Sequence, residues 1–248
     1  MLPIFVINLD GSTERLSKVE QELHKIGASF ERVSAVDGRV MTEAERLQHY
    51  SPELNASNYY KALTPGEIGC YLSHRKVWKL IVERKLPAAI VLEDDFLAQS
   101  DLSGVQALVD AKQTFDYVKL SDHPNRPRKT SSLKLLGKSE LVMFDKIPAR
   151  TCAQVVSANG AELLLKHSEK FGRPVDIDLQ YWWEKEITVL GIKPFAFAPA
   201  PDVQSDISAI QNRSSVKKHP FRRIRQQLSF KLNNALRSPQ NLPKNSAK

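Results

Sequence analysis

Short apolar segments alternate along the chain with segments that have the spacing of amphipathic helices. The first apolar segment, residues 3–9, is followed by helical spacing that begins at Ser12 and ends near Gly27. Later apolar segments cover residues 88–92, 116–120, 149–157 and 187–198. This alternation favours an open α/β sheet with crossover helices over an all-α or all-β fold.

The net charge of +8 belongs to the C-terminal end of the 248-residue chain. Residues 214–248 contain nine Lys and Arg residues and no Asp or Glu, whereas residues 1–213 contain 27 basic and 28 acidic residues. We therefore predict a near-neutral folded body over residues 1–213 and a basic, amphipathic and partly disordered tail over residues 214–248.

Composition argues against several other classes of protein. No segment has the length and hydropathy of a membrane-spanning helix, and Met1–Asp10 lacks the basic start of a signal peptide. Cys70 and Cys152 lie far apart, without the spacing of a zinc site or a disulfide framework. We therefore expect a cytoplasmic protein.

Three adjacent carboxylates, Glu93, Asp94 and Asp95, follow the apolar segment 88–92. Side chains at the carboxyl ends of buried strands lie where open α/β sheets bind ligands. Adjacent carboxylates repel one another unless a cation joins them, and their hard oxygen atoms suit Mg²⁺ or Mn²⁺. Alternation along an extended segment puts Glu93 and Asp95 on one side, so we predict Asp95 as the metal ligand with Glu93 assisting. The alternative is an acidic strand end that faces solvent.

A second candidate segment begins with Thr64 and Glu67, which have the spacing of a helix capping box, and Pro65 supports a helix that runs to about Arg84. We interpret Glu67 mainly as the capping partner. His74 lies inside this predicted helix, where it is either a ligand contact or a packed residue.

Asp176 and Asp178 form a third candidate, just before the aromatic residues 181–183. Asp and Glu are common general bases that take the proton from an attacking hydroxyl group. We predict Asp176 as the base and Asp178 as the second choice, with the aromatic rings as a stacking platform for a sugar. Alternatively, Asp176 caps a helix and the tryptophans belong to the core.

Together these segments resemble glycosyltransferase family 25, which includes lipooligosaccharide galactosyl- and glucosyltransferases and the collagen galactosyltransferases. The resemblance extends over most of residues 1–213. It rests on five segments in order: Phe5-Val-Ile-Asn8-Leu9 with Arg15, Ala35-Val-Asp37-Gly38, Leu63-Thr-Pro-Gly-Glu-Ile-Gly-Cys-Tyr-Leu-Ser73-His74, Val91-Leu-Glu93-Asp94-Asp95, and Pro174-Val-Asp176.

The resemblance implies a fold of the GT-A type, a Rossmann-like nucleotide-sugar-binding open sheet with flanking helices. It also implies a UDP-sugar donor, a divalent cation at Glu93–Asp95, and inversion at the anomeric carbon. The site residues that it implies are Asn8, Leu9, Arg15, Asp37 and Gly38 for the nucleotide, with Ser73 and His74 on the donor side and Asp94 beside the cofactor. Galactose is the favoured sugar and glucose the second, with a lipooligosaccharide or lipopolysaccharide acceptor.

The tail has its own helical pattern, with apolar residues at helical spacing and basic residues mostly off that stripe: Phe221, Ile224, Leu228, Leu232 and Ala235, against Arg222, Arg223 and Arg225. Such a helix is typical of a membrane interface with anionic lipids. We therefore predict a peripheral protein on the cytoplasmic face of the inner membrane, near a lipid-linked acceptor. The alternatives are a disordered solubilising tail and a non-catalytic sugar- or nucleic-acid-binding protein, although the near-neutral body argues against nucleic acid.

Overall fold

The computed structural model describes residues 1–122, 127–200 and 219–237. Its centre is an eight-stranded mixed sheet with the order β2-β1-β3-β8-β5-β9-β7-β6, and β4 and β10 form a separate pair. The strands are β1 Ile4–Asn8, β2 Glu31–Ser34, β3 Ala88–Glu93, β4 Phe96–Ala98, β5 Tyr117–Lys119, β6 Thr130–Leu136, β7 Ser139–Phe144, β8 Ala153–Ser157, β9 Val189–Lys193 and β10 Phe197–Pro199. The described helices are α1 Thr13–Lys25, α2 Glu43–Leu47, α3 Pro52–Asn58, α4 Pro65–Glu83, α5 Ser103–Asp110, α6 Ala158–Lys166, α7 Val175–Asp178, α8 Trp182–Lys185 and α9 Pro220–Leu236.

Both faces of the sheet are covered, because its central strands are apolar on both sides. In β1, Ile4 and Val6 join one buried cluster with α1 and α5, whereas Phe5 and Ile7 join a second cluster under α4 and α6. Alternating side chains of a strand point to opposite faces, so a continuous apolar strand needs helices on each face. This arrangement confirms the predicted α/β class with a Rossmann-like sheet.

The N-terminus of α4 is fixed by the capping box predicted from the sequence. The Thr64 hydroxyl accepts from the Glu67 amide at 3.2 Å, and the Glu67 carboxylate accepts from the Thr64 amide at 2.9 Å. Lys61 forms a buried ion pair with Glu67 at 3.1 Å. Glu67 therefore holds the start of the helix.

Two glycines let the segment after β2 lie directly on α4. A Cβ atom on Gly38 would stand 1.8 Å from the Pro65 carbonyl oxygen, and one on Gly69 would stand 2.4 Å from the carbonyl oxygen of Val36. Only residues without a Cβ atom allow this approach. The contact brings residues 35–39 against the helix and shapes one wall of the site.

Two expectations for the second half of the chain were wrong in detail. The Pro-, Arg- and Lys-rich sequence of residues 123–132 predicts a loop, but β6 already begins at Thr130 and forms a hairpin with β7; residues 123–126 lie outside the described part. The apolar segment 187–198 is divided into β9 and β10 around Pro194, which has no amide hydrogen for a ladder. The sheet therefore gains antiparallel strands that local periodicity did not indicate.

The helix predicted in the tail is present as α9, and it packs on the body through Phe230. The Phe230 ring lies 5.0 Å from the Tyr181 ring and 5.6 Å from the Trp183 ring, and Lys146 Nζ lies 4.6 Å from its centroid. The aromatic residues 181–183 thus form the surface on which this helix packs. The tail boundary at residues 213 and 214 and the segment 238–248, expected to be disordered, lie outside the described residues.

The opposite side of α9 exposes the apolar stripe, defined as Phe221, Ile224, Leu228 and Leu232, with exposures between 54% and 85%. Phe230 lies about half a turn away from the centre of this stripe. Within the described residues, no helix combines the length and hydropathy needed to cross a bilayer.

Candidate active site

A cleft opens at the carboxyl ends of β1 and β3, which are parallel neighbours, and α4 forms its other wall. Such an edge is where open α/β sheets bind ligands. The cleft is lined by nine of the residues predicted from the sequence: Leu9, Arg15, Asp37, Gly38, Ser73, His74, Glu93, Asp94 and Asp95. Residues from four distant parts of the chain are therefore brought to one surface.

Glu93 points from the end of β3 towards α4. Its Oε1 atom accepts a hydrogen bond from the Thr151 hydroxyl at 2.5 Å and lies 2.9 Å from His74 Nε2. Burial alone would raise the pKa of Glu93, but the hydrogen bond and the charge of His74 outweigh it and lower this pKa. Glu93 is therefore held as a carboxylate, and Oε2 accepts no hydrogen bond from the residues described.

Cys70 completes a group with His74 and Glu93 whose possible ligand atoms lie within 4.8 Å of one another. Its Sγ atom lies 3.7 Å from Glu93 Oε1, in the geometry of a weak thiol donor. Burial and the nearby Glu93 raise the pKa of Cys70 well above the usual thiol value. The thiol stays protonated, so this group is accounted for as a hydrogen-bond network around Glu93.

Asp94 turns to the other side and is fully engaged. Its Oδ1 atom accepts from Arg15 NH1 at 2.9 Å, and its Oδ2 atom accepts from Asn8 Nδ2 at 2.7 Å. Asn8 is itself buried, so it reaches the cleft only through Asp94. These contacts tie the ends of β1, α1 and β3 together.

Asp95 differs from its two neighbours because its Oδ1 atom is buried and has no hydrogen-bond partner in the part of the chain that the structure describes. Burial, followed by the charges of Glu93 and Asp94, raises the pKa of Asp95 to about 7. A buried carboxylate oxygen without a donor is unfavourable unless a cation or a proton joins it. The donor set therefore fits a divalent cation with oxygen ligands, at Asp95 with Glu93 beside it.

Ser73 and His74 are consecutive residues of α4 and are almost completely buried, with exposures of 1% each. Ser73 Oγ accepts from the Val36 amide at 2.8 Å and donates to the Gly69 carbonyl at 2.7 Å. Their polar atoms hold the walls of the cleft, Ser73 through residues 35–37 and His74 through Glu93. Asp37 reaches the cleft itself, with its carboxylate bound by Arg39.

The two carboxylates of α7 have different surroundings. Asp178 is buried and accepts from Tyr71 at 2.7 Å, while Arg173 and Lys185 form ion pairs with it at 3.0 and 2.6 Å. Burial acts against the charged form, but the charges of Lys185 and Arg173 outweigh it and lower the pKa of Asp178. Asp178 thus joins three elements of the fold and has no free side for an acceptor.

Asp176 keeps part of its side chain open to solvent, and its Oδ1 atom accepts from the Ile177 amide at 2.8 Å. Its Oδ2 atom accepts from the Arg150 amide at 3.2 Å. Burial, and to a smaller extent the charge of Glu93, raises the pKa of Asp176. Of the two predicted bases, Asp176 is the less buried, and it forms no ion pair within the described residues.

Three residues near the site were not identified from the sequence: Lys119, Arg150 and Thr151. Thr151 binds Glu93, the Arg150 amide binds Asp176, and the ammonium of Lys119 binds the Arg150 carbonyl. They lie at strand ends without a recognisable motif. Of the three, only Lys119 has a signal in the sequence, because a lysine inside the apolar segment 116–120 is unusual.

Comparison with known proteins identifies related sequences. The family model for glycosyltransferase family 25, described as LPS biosynthesis protein, matches residues 1–179. This part includes every site residue predicted above, from Asn8 to Asp178, and stops before β9, β10 and α9.

Individual relatives are more distant and much longer. A glycosyltransferase 25 family member of Drosophila pseudoobscura pseudoobscura is 35% identical over 120 residues, which cover 46% of this chain and 19% of the relative. Procollagen galactosyltransferase 1-B of Xenopus laevis is 29% identical over 198 residues, 73% of this chain and 31% of the relative. The probable inactive glycosyltransferase 25 family member 3 of Bos taurus is 25% identical over 223 residues, 79% of this chain and 36% of the relative. The chain thus spans between about a fifth and just over a third of the length of these curated relatives.

Proposed function

The chain belongs to glycosyltransferase family 25, and on that premise we propose that it transfers a hexose from a UDP-sugar to a saccharide acceptor with inversion at the anomeric carbon. The observation that carries the proposal is the buried, unpartnered oxygen of Asp95 in a cleft lined by the segments 35–39, 64–74 and 93–95. A metal-dependent transfer from a nucleoside diphosphate needs a nucleotide-binding site with a cation beside the diphosphate. The carboxyl edge of the sheet and the free oxygen of Asp95 suit these two requirements.

Asp95 holds Mn²⁺ or Mg²⁺ in this proposal, with Glu93 assisting through Oε2. When bound, the cation neutralises the diphosphate and offsets the charge that develops as UDP leaves. Arg15 and Asn8 keep Asp94 in place, so the acidic turn stays rigid while ligands exchange. Leu9, Asp37 and Gly38 contact the nucleotide, whereas Ser73 and His74 fix the wall on the donor side.

Asp176 acts as the general base and takes the proton from the attacking acceptor hydroxyl. Its raised pKa, caused by burial and then by Glu93, makes it a stronger base than an ordinary aspartate. In-line attack from the side of α7 then inverts the anomeric centre. Asp178 supports α7 through its ion pairs.

Galactose is the favoured donor sugar and glucose the second. The frog relative is named a procollagen galactosyltransferase, and this name supports galactose. The description of the family as LPS biosynthesis protein supports a lipooligosaccharide or lipopolysaccharide acceptor.

A screen of donor hydrolysis across UDP-sugars, with and without Mn²⁺, tests the proposal. We expect release of UDP from UDP-galactose, or less readily UDP-glucose, that depends on the cation. Since the cattle relative is named probable inactive, a non-catalytic sugar-binding protein is the second candidate. Binding of UDP with manganese but without turnover of any donor would favour that candidate, and release of pyrophosphate would indicate a nucleotidyltransferase.

The second part of the proposal concerns α9, whose apolar stripe lies on an anionic membrane surface at the cytoplasmic face of the inner membrane. Phe230 holds the other side of the helix on the body, so the stripe points outwards from a fixed support. The described tail, residues 219–237, carries basic residues and no acidic ones, which suits anionic lipids. A lipid-linked acceptor would be met at that surface.

Sedimentation with vesicles tests this placement. We expect binding to vesicles that contain anionic lipid, with binding that weakens as salt is raised. Replacing both Ile224 and Leu228 by Ser should lower the partition coefficient at least about tenfold, because two exposed apolar side chains no longer enter the interface. The matched control replaces Leu133 and Leu135, which are exposed on β6, by Ser and should change little. Equal binding by both double variants would contradict the placement.

A further inference from the structure

Arg150 has a backbone conformation that residues other than glycine rarely adopt. Its φ angle is +70°, in the left-handed region. Such a conformation is kept only where contacts with the surrounding structure offset its cost. Residues of this kind are concentrated at functional sites. Arg150 lies three residues before the start of β8, at the edge of the sheet where the cleft opens.

Both backbone groups of Arg150 are held by charged side chains. Its amide donates to Asp176 Oδ2 at 3.2 Å, and its carbonyl accepts from the ammonium of Lys119, a residue only 2% exposed. The next residue, Thr151, donates to Glu93 Oε1 at 2.5 Å. The dipeptide 150–151 is thus bound to the candidate base, to the acidic turn and to a buried lysine.

The guanidinium of Arg150, in contrast, forms no ion pair or hydrogen bond within the described residues, and the residue is exposed. The two residues that follow it bind the acidic turn, Thr151 through its hydroxyl and Cys152 through its carbonyl, which accepts from the Glu93 amide at 2.9 Å, so the charge of Arg150 lies near that turn. An arginine held by its backbone, with its planar donor group unused beside a cation site, is suited to a phosphate.

We infer that Arg150 binds the diphosphate of a nucleoside diphosphate beside Asp95, and that Lys119 is a positioning residue that acts through the backbone of Arg150. The inference rests on the proposed function, because it places the ligand in the same cleft. Arg150 then supplies fixed positive charge opposite the acidic turn. Lys119 and Asp176 set the direction of its side chain.

Calorimetric titration of the full chain with UMP and UDP, in the presence of Mn²⁺, tests the contact. Arg150→Gln should weaken UDP binding about 10- to 100-fold and reduce the preference for UDP over UMP, because a charge-assisted bond to phosphate is lost. Arg84→Gln is the matched control, since Arg84 is exposed at the far end of α4 and pairs with Glu31. It should leave both affinities unchanged.

Arg150→Gly separates binding from backbone strain. Glycine accepts a positive φ angle, so this variant should unfold at a urea concentration no lower than the unmutated chain and yet lose UDP affinity as Arg150→Gln does. Loss of affinity accompanied by equal loss of folding in both variants would mean that Arg150 is structural, and the inference would be wrong.

Lys119→Met tests the positioning role through a double-mutant cycle. If Lys119 acts through Arg150, its replacement lowers the preference for UDP over UMP, and the double variant with Arg150→Gln loses no more than Arg150→Gln alone. Additive losses would refute that role. Should Lys119→Met not fold, Lys119→Arg, which keeps a donor, must retain the preference for UDP.

Different results would contradict the proposed function and the inference about Arg150. An unmutated chain that binds no UDP with Mn²⁺ contradicts the proposed function. A chain that binds UDP, with Arg150→Gln binding it equally well, contradicts only the inference about Arg150.

Discussion

Replacing Asp95 by Asn is expected to lower kcat/KM for the UDP-sugar by at least about 1000-fold and to abolish the dependence of UDP binding on manganese. Asp95 has a buried carboxylate oxygen without a partner among the described residues, whereas Glu93 Oε1 and both oxygens of Asp94 receive hydrogen bonds from other residues. An amide has nearly the same shape but no negative charge, so the loss would follow from the cation site. Steady-state kinetics and UDP titrations with and without Mn²⁺ measure both effects.

The same replacement should make the metal-free protein more stable at pH 8. The pKa of Asp95 is raised to about 7 in the folded protein by burial and by the neighbouring carboxylates. A raised pKa contributes stability below the unfolded value near 3.8, and this contribution is lost as the pH rises towards 7. Above pH 7 the charged side chain therefore destabilises the fold, by at most about 4 kcal/mol at 1.36 kcal/mol per pKa unit. Asparagine removes this cost.

Urea unfolding in the presence of a chelator, at pH 5 and pH 8, measures whether Asp95→Asn stabilises or destabilises the metal-free protein. The gain in stability of Asp95→Asn over the unmutated chain should be larger at pH 8. Manganese should also bind the unmutated chain more weakly below pH 7, because protons compete for the carboxylate. A variant that is less stable at pH 8 and still shows manganese-dependent UDP binding would disprove the assignment of Asp95.

Replacing Asp176 by Asn should lower kcat by about 100- to 10,000-fold, the usual contribution of a general base, with little change in UDP affinity. The amide oxygen can still accept from the Arg150 backbone, but the amide nitrogen cannot accept from the Ile177 backbone as Oδ1 does, so urea unfolding of the variant must be measured beside its kinetics. In the unmutated chain kcat should rise with pH through a pKa above the usual aspartate value, because burial raises it. This limb of the pH profile should disappear in the variant.

Asp178→Asn is the matched control on the same helix. It leaves Lys185 and Arg173 with less compensating charge in a buried site, so we expect a loss of about 3–5 kcal/mol in the free energy of unfolding. Folded Asp178→Asn should retain a larger share of kcat than Asp176→Asn. The reverse result, with a stable but inactive Asp178→Asn, would assign the base to Asp178.

Several elements could be predicted because their signals are local. The capping box at Thr64 and Glu67 involves residues three positions apart, and the structure reproduces both of its hydrogen bonds. The strand that ends at Glu93 was identified from an uninterrupted apolar run. The apolar stripe on α9 has helical spacing. Because Phe230 packs against Tyr181 on the opposite side of the helix, the same spacing makes the stripe point outwards.

Other assignments depended on contacts that a single sequence does not display. Asp176 and Asp178 lie two positions apart on a short helix and therefore point in different directions. Tyr71, which is 107 residues away in sequence, is one of the partners that identify Asp178 as the buried member. Likewise, Trp183 could have belonged to a sugar platform or to the core, but it receives the ring of Phe230.

The sequence by itself therefore determined the class of fold and the acidic turn, because periodicity, caps and strand ends are properties of neighbouring positions. The other cleft residues followed from the resemblance of five sequence segments to a known family. Only the tertiary structure decided which carboxylates are already engaged and which is left without a partner. It also brought Lys119, Arg150 and Thr151 to the site. The physical reason is that hydrogen bonds and burial depend on groups far apart in the chain, and these set the charge and the availability of each side chain.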